Sequence, residues 1–173
     1  MKISLAASFA ALSVLAAGVA STAAFSEQPA PEKKVNPNDW LLNAPDDAER
    51  FKQLQSQLRG FSASMIEVGH RYQSLYNALG DKNFELAAYQ WEKIKEVIEL
   101  GYTRRPKRKE NADSVFINPT YDAVLAEIKS GDAERAWKGF AKARAACMEC
   151  HEKEKVEFMN KQPLFRSTAA SKP

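Results

Sequence analysis

Residues 54–80, LQSQLRGFSASMIEVGHRYQSLYNALG, carry an unbroken hydrophobic pattern that covers more than three heptads. Apolar side chains recur there at alternating steps of four and three residues, which places them along one face of an α-helix. The members of this seam are Leu54, Leu58, Phe61, Met65, Val68, Tyr72, Leu75 and Leu79. The pattern predicts one continuous helix that begins just after Pro45, with Asp46 and Asp47 in its first turn, and ends at Gly80.

Three further helices are predicted by the same periodicity and by capping residues. They are a second helix capped by Asp81 or Asn83 and ended by Gly101, a third opened by Asn118 and Pro119 and ended by Gly131, and a fourth capped by Asp132. Their inward positions are Phe84, Ala87, Trp91, Ile94 and Ile98; Tyr121, Val124, Leu125 and Ile128; and Ala136, Phe140, Ala143, Cys147 and Cys150. No alternating strand pattern competes, so we expect an all-α fold, an antiparallel four-helix bundle with a cofactor between its helices.

The remainder of the chain divides by composition. Residues 1–24 have one charge, an apolar core and small residues at the end, as in a cleaved secretory signal. Residues 25–45 contain four prolines and predict a flexible leader, residues 46–158 the bundle, and residues 159–173 a disordered tail. The formal net charge of +3 falls to +2 without Lys2, too little to indicate nucleic acid as a partner. We expect no stable membrane insertion once the signal is removed.

The pentapeptide Cys147-Met148-Glu149-Cys150-His151 uses both cysteines of the chain and places a histidine directly after the second. This spacing is typical of covalent c-type haem attachment. Two thiols add across the two vinyl groups of the porphyrin, and the histidine supplies an imidazole to the iron. On a helix, positions 147, 150 and 151 are related by steps of three and four, so the three side chains share a face. The motif therefore predicts one haem c, bound through Cys147 and Cys150 with His151 as iron ligand.

Other interpretations of the motif are weaker. A thioredoxin-like redox couple would need a surrounding βαβ pattern. A structural zinc site needs four ligands, and the chain holds only two cysteines and two histidines in total. A small disulfide with an incidental histidine is the plainest alternative, but the predicted export signal favours haem, because c-type haem is attached after translocation. Together, motif and signal predict a bacterial periplasmic protein.

Elimination leaves two candidates for the second axial ligand of the iron. Met148 lies inside the attachment motif, Met159 is taken to lie on the same helix as His151, and Met1 leaves with the signal, so Met65 and His70 remain. Met65 falls on the apolar seam, whereas His70 falls about 200° away from it and is predicted to be exposed. Met65 is the candidate second ligand, with core filling as its alternative role.

An exported chain with this motif in its last helix, after three amphipathic helices, resembles the cytochrome c-prime superfamily, the class II cytochromes c. The stretches 65–72, 84–90 and 104–108 are similar to single-haem periplasmic proteins within or near that group. The resemblance implies a left-handed four-helix bundle with the haem near one end, His151 proximal to the iron and a first-helix side chain over its distal face. Homodimers are frequent among the relatives.

Relatives of this kind divide at the distal face. In some, a first-helix methionine binds the iron and the protein carries electrons; in others, an apolar residue leaves the iron five-coordinate and able to bind NO or CO. The methionine-ligated relatives place that residue near the start of the first helix, whereas Met65 lies well inside the helix predicted to begin at residue 46.

Three functions can be compared with these patterns: electron transfer, gas binding and peroxidase activity. We expect electron transfer with periplasmic redox proteins, with gas binding as the alternative. A peroxidase needs an acid or base beside the open site, and the Met65 face offers none, so we expect no enzyme. The basic residues between 104 and 109 could dock an acidic partner or pair with haem propionates, but we favour a solvated loop whose charges suit the negative end of the preceding helix.

Overall fold

The structure, a computed structural model, describes residues 36–169, and these residues are helical with no strand among them. The expected all-α fold is confirmed. The helices belong to one compact unit that begins at Pro37. The predicted signal, the leader up to residue 35 and residues 170–173 lie outside the described residues. The α-helices are α1 (Asp47–Leu58), α2 (Phe61–Gly80), α3 (Phe84–Arg104), α4 (Lys109–Ala112), α5 (Asp122–Lys129), α6 (Ala133–Lys153) and α7 (Pro163–Ser167).

Three helices begin at side-chain caps, and the sequence predicts those of α3 and α6, whereas Asp46 was expected in the first turn of its helix and caps it instead. The carboxylates of Asp46 and Asp132 accept from the third following backbone N–H of α1 and α6, each at 2.8 Å. The side-chain oxygen of Asn83 does the same for α3 at 3.0 Å, so Asn83 rather than Asp81 is its cap. Each contact satisfies one backbone donor that the first turn of a helix leaves free.

The prediction of one continuous helix from residue 46 to residue 80 is wrong. The chain breaks between α1 and α2, where Arg59 adopts a left-handed φ of 59° and Gly60 is extended. A Cβ on Gly60 would lie 3.1 Å from the Arg105 guanidinium, so glycine allows this side chain to pack against the break. Leu54 and Leu58 consequently lie exposed on α1, which buries none of its residues, although they continue the seam of α2.

The core lies between α2, α3, α5 and α6. A short turn joins α2 to α3, and these two helices form the most extensive contact of the fold. The indole of Trp91 in α3 is fully buried and donates to the Tyr121 carbonyl at 3.0 Å. Phe140 in α6 stacks on Tyr72 of α2 with ring centroids 4.9 Å apart. The predicted inward positions of α2, α3, α5 and α6 are therefore largely those that the core uses.

A continuous helical segment connects α4 to α5, and its middle, Asp113–Tyr121, is wound as a π-helix. The prediction that Asn118 and Pro119 open a helix is wrong, because Pro119 lies inside this segment. Proline lacks the N–H that an α-helix would direct to the carbonyl of Val115. The Thr120 hydroxyl donates to that carbonyl at 2.8 Å, which compensates for the missing donor within the wider winding.

The prediction that Gly101 ends the second helix is also wrong, because α3 continues to Arg104. Gly101 is buried and serves instead as a contact site for the Phe61 ring at the start of α2. A Cβ at position 101 would lie 2.6 Å from Cε2 of Phe61, which is closer than real side chains approach.

Gly101→Ala is therefore expected to lower the free energy of unfolding, since overpacking of this kind costs about 1–3 kcal/mol, offset in part by the helix propensity of alanine. Gly69→Ala is the matched control, because its Cβ would meet Leu164 at an ordinary 3.6 Å. That variant is expected to gain about 0.5–1 kcal/mol as a mid-helix glycine replacement. Urea unfolding of both measures the difference, and equal stability of the two variants would contradict the close packing at Gly101.

The predicted disordered tail is helical as far as it is described. After α6 the chain reverses at Lys155, which has a φ of 59°, and continues through a 3₁₀ turn (Glu157–Lys161) into α7. Phe165 and Thr168 are 4% and 1% exposed, so these turns are attached to the core and are not a free tail. The end of the predicted leader is similarly held, because the Arg50 guanidinium donates to the Leu41 carbonyl at 3.0 Å.

No helix among residues 36–169 has the length and apolar character needed to span a membrane.

Candidate functional site

A cavity of about 1080 Å³ opens between α2, α3, α6 and the segments that follow α3 and α6. Typical ligand pockets measure roughly 300–1,000 Å³, so this cavity can hold a large ligand. Its apolar and sulfur-containing lining side chains are Phe61, Met65, Ile66, Val68, Tyr72, Ile94, Ile98, Ala112, Phe116, Cys147, Cys150, Val156, Phe158, Met159, Leu164 and Phe165. The surrounding polar and charged residues include Arg59, Arg108, Glu154 and Gln162.

All three functional residues of the predicted attachment motif line this cavity. Cys147, Cys150 and His151 lie in the last two turns of α6, on the face that the steps of three and four predict. Both cysteines are free thiols and are half-buried. The common face that the sequence predicts for the three residues is thus confirmed, and the cavity lies in front of it.

The electrostatics of the two thiols argue against a redox-active pair. Burial raises the pKa of the Cys147 thiol to about 12, and the neighbouring Cys150 raises it further. Burial also raises the pKa of Cys150 above the ordinary thiol value. Exchange-active Cys-x-x-Cys pairs instead have a thiol whose pKa is lowered to between about 3.5 and 7.5. The two thiols therefore differ from an exchange-active pair in the direction of their pKa shifts.

A residue that the sequence analysis missed orients the imidazole. Nδ1 of His151 lies 2.8 Å from Oδ1 of Asn160, and Nδ2 of Asn160 donates to the Met148 carbonyl at 3.1 Å. The second contact fixes which end of the amide faces the ring, because only its NH₂ group can donate to a carbonyl. The oxygen of Asn160 thus accepts a proton carried by Nδ1, and Nε2 of His151 keeps a free lone pair.

Aromatic packing supports the same ring from the C-terminal segment. Phe165 meets His151 nearly at a right angle, with ring centroids 5.7 Å apart, and also packs against Tyr72. The hydroxyls of Thr168 and Tyr72 are hydrogen-bonded at 3.3 Å. One signal in the sequence indicates this packing, namely the apolar pair Leu164-Phe165 directly after Pro163, which lies inside a stretch whose polar composition predicts disorder.

The structure places both remaining methionines at the cavity. Met65, the candidate second ligand, is the fifth residue of α2 and is half-buried. The prediction that Met159 lies on the same helix as His151 is wrong, because α6 ends at Lys153 and Met159 lies on the following 3₁₀ turn. Its neighbour Asn160 contacts Nδ1 of His151, and Met159 itself lines the cavity.

His70 is exposed, as predicted, and is also among the residues that line the cavity. The basic cluster between 104 and 109 is partly engaged within the protein. Arg108 forms an ion pair with Glu154 at the end of α6, and Lys109 pairs with Asp113. Because Arg108 also lines the cavity, the basic segment lies beside the candidate site and is more than a solvated loop.

Within residues 36–169, no group of three or more His, Cys, Asp or Glu side chains is placed to hold a metal ion by itself. A haem iron needs fewer ligands from the protein, because the porphyrin supplies four nitrogen ligands. The residues present fit such a group: a large apolar cavity, two thiols on one face and an imidazole nitrogen with a free lone pair.

Comparison with known proteins yields no matching family model and no significant match among curated sequences or solved structures.

Proposed function

We propose that this chain is a periplasmic mono-haem c-type cytochrome that transfers electrons. The observation that supports this proposal most strongly is that Cys147, Cys150 and the oriented imidazole of His151 all line one large apolar cavity. When bound, the haem iron would supply a one-electron couple. The thioethers would prevent its dissociation, and the apolar lining would limit the access of water, which keeps the reorganisation on electron transfer small.

In this proposal the fold is an antiparallel four-helix bundle of the cytochrome c-prime kind, made of α2, α3, the segment from α4 to α5, and α6. The break at Arg59 and Gly60 bears on the resemblance, because the first bundle helix then begins at Phe61 rather than at residue 46. Met65 consequently lies near the start of that helix, where the methionine-ligated relatives place their ligand. This removes the main difference in position and favours Met65 as the second iron ligand.

Arg59 and Arg108 are the cations that line the cavity and are suited to pair with the haem propionates. Arg108 already shares Glu154 with Asn111, whose amide donates to that carboxylate at 2.8 Å. The exposed remainder of the basic cluster, Arg105 and Lys107, would face an acidic redox partner. The partner's identity and homodimer formation belong to the same proposal.

The second candidate function is binding of NO or CO at five-coordinate iron. It is favoured by the size of the cavity and by Met65 being only half-buried, which leaves room for a small ligand on that side. An enzymatic role is not proposed. One turn to either side of Met65 on α2, Phe61 and Val68 carry no titratable group, and burial raises the pKa of Tyr72 well above its ordinary value. His70 also lines the cavity but is exposed to solvent.

Absorption spectra of the ferric and ferrous protein, with and without CO, test the choice between the two functions. We expect a low-spin ferric spectrum with a far-red methionine-to-iron charge-transfer band, and Met65→Ala is expected to abolish that band and to admit CO rapidly. Met159→Ala is the matched control, because Met159 lines the same cavity and is expected to leave the band unchanged. A band that survives Met65→Ala would remove Met65 from the iron, and a high-spin wild-type spectrum would select the gas-binding candidate.

A further inference from the structure

Asn160 is held in place by the segment that follows it. It follows Met159 on the 3₁₀ turn, and the chain then enters α7, where Leu164 packs against Gly69 of α2 and Phe165 is buried. The guanidinium of Arg144 in α6 donates to the Phe165 carbonyl at 3.1 Å. An amide that is followed by an anchored segment and hydrogen-bonded at both ends has a defined position relative to the imidazole.

The direction of the hydrogen bond between His151 and Asn160 affects how strongly the imidazole binds a metal. The amide NH₂ of Asn160 is committed to the Met148 carbonyl, so its oxygen can only accept from Nδ1 of His151. A ring that shares its Nδ1 proton with an acceptor carries more negative charge and donates more strongly through Nε2. Stronger donation stabilises ferric iron more than ferrous iron, and the reduction potential falls.

We propose that Asn160 is a positioning residue that fixes the His151 tautomer and, through this hydrogen bond, lowers the reduction potential of the site. The inference rests on the proposed haem function. Its action on the iron passes entirely through the imidazole, because the side chain of Asn160 is bound to Nδ1 and to a backbone carbonyl of the attachment motif.

Two variants of the holoprotein test the proposal by the sign of their effects. Asn160→Leu keeps the approximate size but removes the acceptor, so we expect a higher potential and a lower iron–histidine stretching frequency in the ferrous resonance Raman spectrum. Asn160→Asp offers a charged, stronger acceptor in the same shape, so we expect a lower potential and a higher frequency. The Raman measurement uses the Met65→Ala background, in which the histidine bond is the only axial bond from the protein.

Gln55→Glu is the control for charge alone, because it adds the same charge on α1 at an exposed position outside the cavity. It is expected to leave both quantities unchanged. Shifts of opposite sign in the two Asn160 variants support the proposal. Shifts of the same sign, or none, overturn it, since a purely structural role would disturb the site in one direction only. If the leucine variant does not fold, the iron–histidine stretching frequency of Asn160→Asp decides the matter, because a nearby charge lowers the potential by itself but does not strengthen the histidine bond: a higher frequency supports the proposal, and an unchanged or lower one overturns it.

A failure of the proposed haem function can be distinguished from a failure of the role proposed for Asn160. If the purified full-length chain carries no haem, long-range proton–nitrogen correlation spectra of its labelled histidines still report the tautomer. A proton on Nδ1 of His151 that moves to Nε2 in Asn160→Leu supports the hydrogen bond without the haem. A proton on Nε2 in the wild-type chain overturns the role of Asn160.

Discussion

Cys147→Ala combined with Cys150→Ala is expected to yield a protein with no haem that survives denaturation. The chain contains no other cysteine, so these two thiols are the only groups able to form thioethers with the vinyl groups. Alanine suits both positions structurally, because it is the best helix former and α6 already carries buried alanines on this face. Haem held only by His151 and the cavity would then be free to dissociate.

The measurement is the mass of the denatured chain, produced in a host that attaches c-type haem. Glu149→Ala is the matched control, because Glu149 lies between the two cysteines and is exposed, so its loss leaves the spacing of the motif intact. We expect the control to keep the covalent haem mass and the double variant to lose it completely. Covalently bound pigment in the double variant would show that another residue forms the link.

Trp91→Ala is expected to have the largest effect on stability, a loss of about 3–5 kcal/mol in the free energy of unfolding. The indole is 0% exposed and packs against Phe116 and Tyr121, with ring centroids 4.9 and 5.9 Å away. It also donates to the Tyr121 carbonyl, where the π-helical segment passes into α5. The substitution therefore opens a cavity and removes a donor between α3 and the neighbouring helix.

Two further variants separate these contributions. Trp91→Phe keeps an aromatic ring and loses the N–H, so it is expected to cost less, with about 1 kcal/mol of the loss from the hydrogen bond. Trp40→Ala removes an indole that is half exposed, and we expect a change within about 0.5 kcal/mol. Denaturant unfolding measures all three. A loss for Trp91→Ala no larger than that for Trp40→Ala would contradict the position of Trp91 in the core.

The parts of the fold that the sequence predicts are those set by local chemistry. Helix caps such as Asp132, the apolar faces of α2, α3 and α6, and the common face of the attachment motif all follow from spacing within one helix. The break at Arg59 could not be predicted in this way, because the seam continues through it and the Arg105 side chain comes from the far end of α3. The same holds for Gly101, whose role depends on the approach of Phe61.

The residues of the candidate site also differ in whether the sequence alone identifies them. Cys147, Cys150 and His151 are recognisable because their chemistry requires a fixed spacing. Asn160 is not, since nothing local marks an asparagine as the partner of a ring nine residues earlier. Its role depends on the reversal at Lys155, which returns the chain to α6 and to the cavity. The polar composition of the last fifteen residues masked the two apolar side chains, Leu164 and Phe165, that hold this segment.

The measurement that tests the central claim most directly is the absorption spectrum and intact mass of the wild-type protein after denaturation, following production in a host able to attach c-type haem. The account predicts a coloured polypeptide whose mass exceeds that of its amino acids by one haem. A colourless chain with the mass of the polypeptide alone would contradict it.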